Sequence, residues 1–192
     1  MARRRLALAA LLLATVAACG DGSGGTDVPP ELLQRDDVGE VAEVEVDEGR
    51  SITRTNCAAL WVEASNARTE EDSPFVRYEL ESGDTVISTV QGPRGGQVSV
   101  DDTFDEVGAG IDQCVAQDLG TAVVERLTDL PEGAIGFREV QDDTGGVQVT
   151  ERAYARVDDE HAVVVTVTHT GAGEPSVSVT DLLPQALERA SG

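Results

Sequence analysis

Hydrophobic and polar residues alternate along several short stretches of this chain, which is the pattern of a β-strand with one buried face. The alternation is strict at residues 43–47 and again at residues 76–81. Ser82, Gly83 and Asp84 form a turn signal, after which residues 86–90 can return as the next strand. Four more strands are predicted at 121–127, 135–141, 147–157 and 162–169, although the first of these also fits a helical period.

A helical period of apolar residues occurs in two internal segments and at the C-terminal end. The first apolar face follows Asn56 as a cap and comprises Cys57, Leu60, Trp61 and Ala64. The second follows Asp101 or Asp102 as a cap and comprises Phe104, Val107, Ile111 and Val115, with Cys114 beside them. The third comprises Val179, Leu182, Leu183, Ala186, Leu187 and Ala190. Asp181 is its predicted cap, which would put Pro184 in the first turn.

Residues 31–37 can form one further short helix. Strands and helices then follow each other in mixed order, and no internal repeat is present. This pattern predicts an α+β fold, with a mainly antiparallel sheet flanked by a few helices in a single domain.

The N-terminal residues follow the order of an export signal, in which positive charge precedes an apolar run and small residues. Arg3, Arg4 and Arg5 precede an uncharged apolar run at 6–16, which is shorter than the ~20 residues that cross a bilayer. The small residues before Cys19 resemble the lipobox of bacterial lipoproteins, in which the cysteine becomes the lipidated first residue. The alternative is a plain secretory signal with an incidental cysteine. We therefore predict a lipoprotein signal peptide at 1–18, a lipid anchor and flexible tether at 19–30, and a folded domain at 31–192.

The charge of the chain excludes one class of partner. The chain contains no lysine, and cleavage before Cys19 removes three arginines from a net charge of −22, which gives −25. Nucleic-acid binding needs clustered lysine and arginine, so no nucleic-acid partner is expected. Anionic lipid surfaces would also repel this domain, so the contact with the cell membrane must come from the lipid anchor.

Two cysteines remain after Cys19, namely Cys57 and Cys114. In an oxidising compartment a single pair is most simply a disulfide. Two inert buried thiols or a metal-binding pair are the alternatives, but neither a Cys-x-x-Cys spacing nor a nearby histidine supports a metal.

The residues that could carry catalysis are few. His161 lies in a predicted turn and His169 at a strand end, and we expect both to be solvated surface residues. Ser82 and Ser99 lack a Gly-x-Ser-x-Gly context, and no Gly-rich phosphate loop is present. Acidic clusters could bind calcium but lack EF-hand spacing, so neither a metal nor a cofactor is predicted. These clusters are Glu70-Glu71-Asp72, Asp101-Asp102 with Asp105-Glu106, and Asp158-Asp159-Glu160.

A group of short motifs resembles a known family. They are Leu32-Leu33, Cys57-Ala-Ala-Leu-Trp61, Asp112-Gln113-Cys114, the long hairpin at 152–168 and the closing helix. Together they resemble actinobacterial sensor-domain lipoproteins, which are similar to the extracellular sensor domain of the mycobacterial serine/threonine kinase H. The resemblance implies a bond between Cys57 and Cys114, an antiparallel sheet flanked by helices, a groove suspected of binding a ligand, and no enzymatic activity. The family's usual second disulfide would fall near Thr150 and His169 or Thr170, where this chain has no cysteine.

Three functions are consistent with these patterns. The chain is expected to be a non-catalytic ligand-binding or sensor-like module at the cell membrane, with an unknown small ligand. A structural or protein-interaction lipoprotein of the envelope is the alternative, and a hydrolase that uses His161 or His169 is the third hypothesis. Trp61 and Tyr154 could line a ligand site, although core packing is the simpler role for both.

Overall fold

The computed structural model of the protein describes residues 27–48, 55, 57, 59–60, 73–92 and 99–192. The predicted signal peptide, Cys19, Trp61 and the acidic cluster at 70–72 lie outside the described residues. Most of the tether and most of the helix predicted after Asn56 also lie outside them.

Seven antiparallel strands form one sheet in the order β1-β2-β3-β7-β6-β5-β4. The strands are β1 (Val41–Glu48), β2 (Pro74–Leu80), β3 (Thr85–Gln91), β4 (Ala122–Arg126), β5 (Ile135–Asp143), β6 (Gly146–Arg156) and β7 (Ala162–Thr170). The helices in the described part of the chain include α1 (Arg35–Val38), α2 (Val100–Val115) and α3 (Val179–Ser191). The predicted α+β class with an antiparallel sheet is confirmed, and residues 122–126 are a strand. No helix among the described residues is long and apolar enough to cross a membrane.

The sheet buries both of its faces in the centre. On one face, Val163, Val165 and Val167 of β7 belong to the same buried cluster as Leu182 and Leu183 of α3; we name this the α3 face. Alternate residues of a strand point to opposite faces, so β7 needs apolar residues on both sides. This explains its nearly continuous run of valines, which is the pattern of a strand covered on both faces.

The opposite side of the sheet, the α2 face, has a separate core. Phe104 and Ile111 of α2 cluster there with Phe137, Tyr154 and Val164 of the sheet. Tyr154 is 3 % exposed and is therefore a core residue. Core packing was the simpler of the two roles predicted for it.

The chain before β1 is fixed to the α3 face by a buried tyrosine. Leu32 and Leu33 are fully buried, and the Tyr78 hydroxyl donates a hydrogen bond of 2.8 Å to the Leu33 carbonyl oxygen. Burial, with a smaller contribution from the nearby Asp37 carboxylate, raises the pKa of Tyr78 to about 12. The phenol therefore stays protonated and remains a donor.

Four local predictions about the helices were wrong. Ser99 and Ser178 are the N-caps, rather than the aspartates that follow them, because each serine hydroxyl accepts a hydrogen bond from the third helical amide. With the α3 cap three residues earlier than predicted, Pro184 lies inside the helix and not in its first turn. Val115, predicted on the buried face of α2, is 48 % exposed at the end of that helix.

A disulfide joins Cys57 to Cys114 in the last turn of α2, and their Cα atoms are 5.9 Å apart. Both cysteines are buried in the core of the α2 face. The predicted pairing is therefore confirmed. The bond ties the segment between β1 and β2 to the helix that covers β4 and β5.

Removing this bond should be costly. In the chain-entropy account, a crosslink across 57 residues stabilises the fold by about 4 kcal/mol. We expect the double substitution Cys57→Ser/Cys114→Ser to lower the free energy of unfolding by about that amount in denaturant titrations. A reductant should destabilise the wild type and leave the double variant unchanged. Equal unfolding midpoints for the oxidised wild type and the double variant would contradict the expectation.

Candidate functional site

A buried carboxylate gathers three separate parts of the chain at one end of the α3 face. Asp84, in the turn between β2 and β3, is 0 % exposed. Its Oδ1 atom lies 2.6 Å from Nδ1 of His169, near the end of β7. Its Oδ2 atom accepts hydrogen bonds from the Ser176 amide at 2.7 Å, the Ser176 hydroxyl at 2.5 Å and the Ser82 hydroxyl at 3.0 Å. We refer to these four residues as the Asp84 cluster.

The hydrogen bonds decide the charge of Asp84. Burial by itself raises the pKa of this carboxyl, because a charged group is disfavoured away from water. The bonds from the Ser176 hydroxyl and amide, followed by those from His169 and Ser82, outweigh burial and bring the pKa below its usual value. Asp84 is therefore an ionised acceptor at neutral pH.

The structure separates the two histidines that were both predicted at the surface. His161 is at the surface, since its side chain is 44 % exposed and pairs with Asp158 of the same turn at 2.9 Å. The prediction is wrong for His169, whose side chain is 15 % exposed and pairs with Asp84. Ser82, which had no distinguishing context in the sequence, belongs to the same cluster. Ser99 is the cap of α2.

The order of groups in the Asp84 cluster differs from that of a hydrolase triad. In such a triad the serine hydroxyl bonds to histidine, and the histidine bonds to the carboxylate. Here the hydroxyls of Ser82 and Ser176 both donate to Asp84, and His169 contacts the other oxygen of the same carboxylate. Among the described residues, Nε2 of His169 has no hydrogen-bond partner. The cluster therefore has a carboxylate at its centre, where catalysis would need the histidine.

A second set of ion pairs fixes the loop at residues 171–178, which also carries Ser176. Arg138 of β5 pairs with Glu151 of β6 at 2.9 Å and also with Glu174 of the loop. Glu151, which is 5 % exposed, further accepts the amide of Val179 at 3.1 Å. Val179 is the first residue of α3, where the helix dipole favours a negative charge. The loop and the start of α3 are thus fixed to the sheet at two points.

An open cleft of about 690 Å³ lies between α1 and the C-terminal part of α3. Its lining residues are Pro30, Glu31, Asp37, Gln185, Glu188, Arg189, Ala190 and Gly192. Arg189 forms a two-point ion pair with Asp37 across it, with nitrogen–oxygen distances of 3.0 and 3.1 Å. The volume falls within the range of ~300–1,000 Å³ typical of small-molecule sites. The cleft is an open depression of the surface, lined mostly by polar residues.

In the described part of the chain, the acidic clusters are not arranged as metal-binding sites. No group of three or more histidine, cysteine, aspartate or glutamate residues is arranged there to hold a metal ion. Asp158, for example, accepts hydrogen bonds from the amides of Glu160 and His161 of its own turn.

No protein-family model matches this chain, and no curated protein sequence matches it. The likeness to actinobacterial sensor-domain lipoproteins stays an expectation drawn from the motifs around Cys57, Cys114 and the long hairpin.

Asp84→Asn should destabilise the protein at pH 7 by about 3 kcal/mol, since a neutral amide cannot replace an ionised acceptor of several hydrogen bonds. A carboxyl with a lowered native pKa contributes stability above its unfolded value of ~3.9 and loses it as the pH falls through the native value. The difference between wild type and variant should therefore shrink below about pH 4. Urea titrations from pH 3 to pH 7 measure it.

Asp159→Asn is the matched control, because Asp159 is exposed in the turn between β6 and β7. It should change the free energy of unfolding by no more than about 0.5 kcal/mol. A loss at Asp84→Asn that is the same at pH 3 as at pH 7 would contradict the assignment of an ionised Asp84.

Proposed function

We propose that this protein is an exported lipoprotein whose folded domain binds a small ligand outside the cytoplasmic membrane without converting it chemically. The N-terminal order of charge, apolar run and small residues before Cys19 supports export and acylation. The Cys57–Cys114 disulfide supports an oxidising compartment, where such bonds persist. The glycine-rich tether after Cys19 would leave the domain room above the membrane surface.

The observation that carries the binding proposal is the cleft between α1 and α3. Binding requires a concave surface with a few polar groups that fix orientation. The cleft offers the amide of Gln185, the carboxylates of Glu31 and Glu188, and the Asp37–Arg189 pair. Pro30, at the end of the predicted tether, forms part of its rim. A ligand in the cleft would therefore contact the chain close to the point where the anchor joins the domain.

A protein partner in the envelope is the second candidate function. Val123 on the edge strand β4 is 60 % exposed, and exposed apolar groups on an edge strand favour contact with another chain. A hydrolase has less support, because the Asp84 cluster supplies a carboxylate and a histidine without a serine hydroxyl bonded to that histidine.

Native mass spectrometry of the protein purified from its own host tests the binding proposal. We expect the wild type to carry a bound small molecule. Gln185→Trp should lose it, because the indole would fill the cleft. Gln113→Trp is the matched control, since it places the same side chain on an exposed position of α2 away from the cleft, and it should keep the ligand. Absence of a bound mass in the wild type, or its retention in Gln185→Trp, would count against the cleft.

A further inference from the structure

The most buried arginine of the described chain lacks a carboxylate partner. Arg152, in the middle of β6, is 5 % exposed, and its Nε atom has no hydrogen-bond partner among the described residues. The arginines that do form ion pairs are all more exposed, with side-chain values from 21 % to 46 %; they are Arg77, Arg126, Arg138, Arg156 and Arg189. Arg152 thus forms no ion pair among the described residues.

Such a charge is costly to bury. A guanidinium does not lose its proton under protein conditions, so Arg152 cannot relieve the cost by becoming neutral. Its guanidinium carbon lies 5.1 Å from the centre of the Tyr154 ring, and this cation–π contact offsets only part of the lost hydration. Among the described residues, Arg152 therefore has no ion pair to offset the rest of this cost.

The neighbours of Arg152 supply further parts of a binding site. Thr150, Arg152 and Tyr154 alternate along β6 and share the α2 face, and Thr166 of β7 lies opposite Arg152 in the strand register. Both threonines are buried, with exposures of 5 % and 3 %. Phe137 of β5, opposite Arg152 on its other side, is 2 % exposed. A guanidinium and two hydroxyls are thus bordered by two aromatic rings.

The nearest candidate counter-ion from the sheet itself is already engaged. Glu139 of β5 lies opposite Thr150 on the same face and is 3 % exposed. Its carboxylate accepts a hydrogen bond of 2.6 Å from the Thr55 hydroxyl. The ion pairs of the described residues do not include one between Glu139 and Arg152. An additional anion would therefore meet an unpaired cation at Arg152.

We propose that the α2 face holds an anion site in which Arg152 binds the carboxylate of a small organic acid with an apolar body. A single guanidinium matches one carboxylate through two parallel hydrogen bonds. The net charge of −22 opposes anions of higher charge, which disfavours phosphate esters. Thr150 and Thr166 are neighbours of Arg152 on the same face and would add hydroxyl donors, and the rings of Tyr154 and Phe137 would contact the apolar body. The site is separate from the α1–α3 cleft, since α1 and α3 pack on the other face.

Titration of the purified protein with sodium benzoate tests this site, with sodium chloride at equal ionic strength as the reference. The Nε–Hε signal of Arg152 in spectra of arginine-labelled protein should shift in a saturable way. At a tenfold excess of benzoate over its dissociation constant, the melting temperature should rise by about 4 °C. Sodium phosphate should produce neither effect.

Two variants make the test specific. Arg152→Met keeps an unbranched apolar stem and removes the charged guanidinium, so it should abolish the response to benzoate. Without ligand it should melt no lower than the wild type, because it removes an uncompensated buried charge. Arg77→Met removes a half-exposed arginine from β2 and should respond as the wild type does.

Three results would overturn the proposal. The first is a wild-type Arg152 signal that does not move with benzoate or acetate. The second is an Arg152→Met variant that responds to benzoate as the wild type does. The third is a response to phosphate with none to benzoate, which would exclude the carboxylate class. If Arg152→Met fails to fold, the Nε–Hε titration of the wild type decides alone.

Discussion

One ionised carboxylate fixes how the last helix meets the sheet. Asp84 is buried completely, so its charge must be stabilised by donors from the protein rather than by water. The donors come from the β2–β3 turn, from His169 near the end of β7 and from Ser176 in the loop before α3. Because these segments are far apart in the chain, the carboxylate can be satisfied only when β3, β7 and the loop are all in place. The position of α3 over the sheet depends on this arrangement.

The two faces of the sheet are closed by different means. On the α3 face, apolar packing of α3 is combined with the Asp84 cluster and the Arg138–Glu151 pair, which orient the start of that helix. On the α2 face, the disulfide joins α2 to the segment between β1 and β2. The central strands β6 and β7 contribute to both cores, and this explains why they are the longest buried stretches among the described residues. The α1–α3 cleft and the proposed anion site therefore lie on opposite faces of the same sheet.

Strands such as β1 could be predicted because burial on one face imposes a period of two residues along the chain. The Asp84 cluster could not be predicted, because Asp84 also fits a turn and its partners His169 and Ser176 are 85 and 92 residues away. Serine and aspartate are both good helix caps, so composition could not choose Ser99 over the aspartates that follow it. Arg152 looks like an ordinary polar residue of an alternating strand until the register places Thr166 and the aromatic rings beside it.

The central claim about function is that the domain lies outside the cytoplasmic membrane and is anchored there by a lipid attached to Cys19. Metabolic labelling of the host with an alkyne fatty acid, followed by membrane fractionation, tests it most directly. The account predicts a labelled wild-type protein in the membrane fraction. It also predicts that Cys19→Ser is unlabelled and either remains unprocessed or is released in soluble form. Equal labelling and equal membrane association of the wild type and Cys19→Ser would contradict the claim.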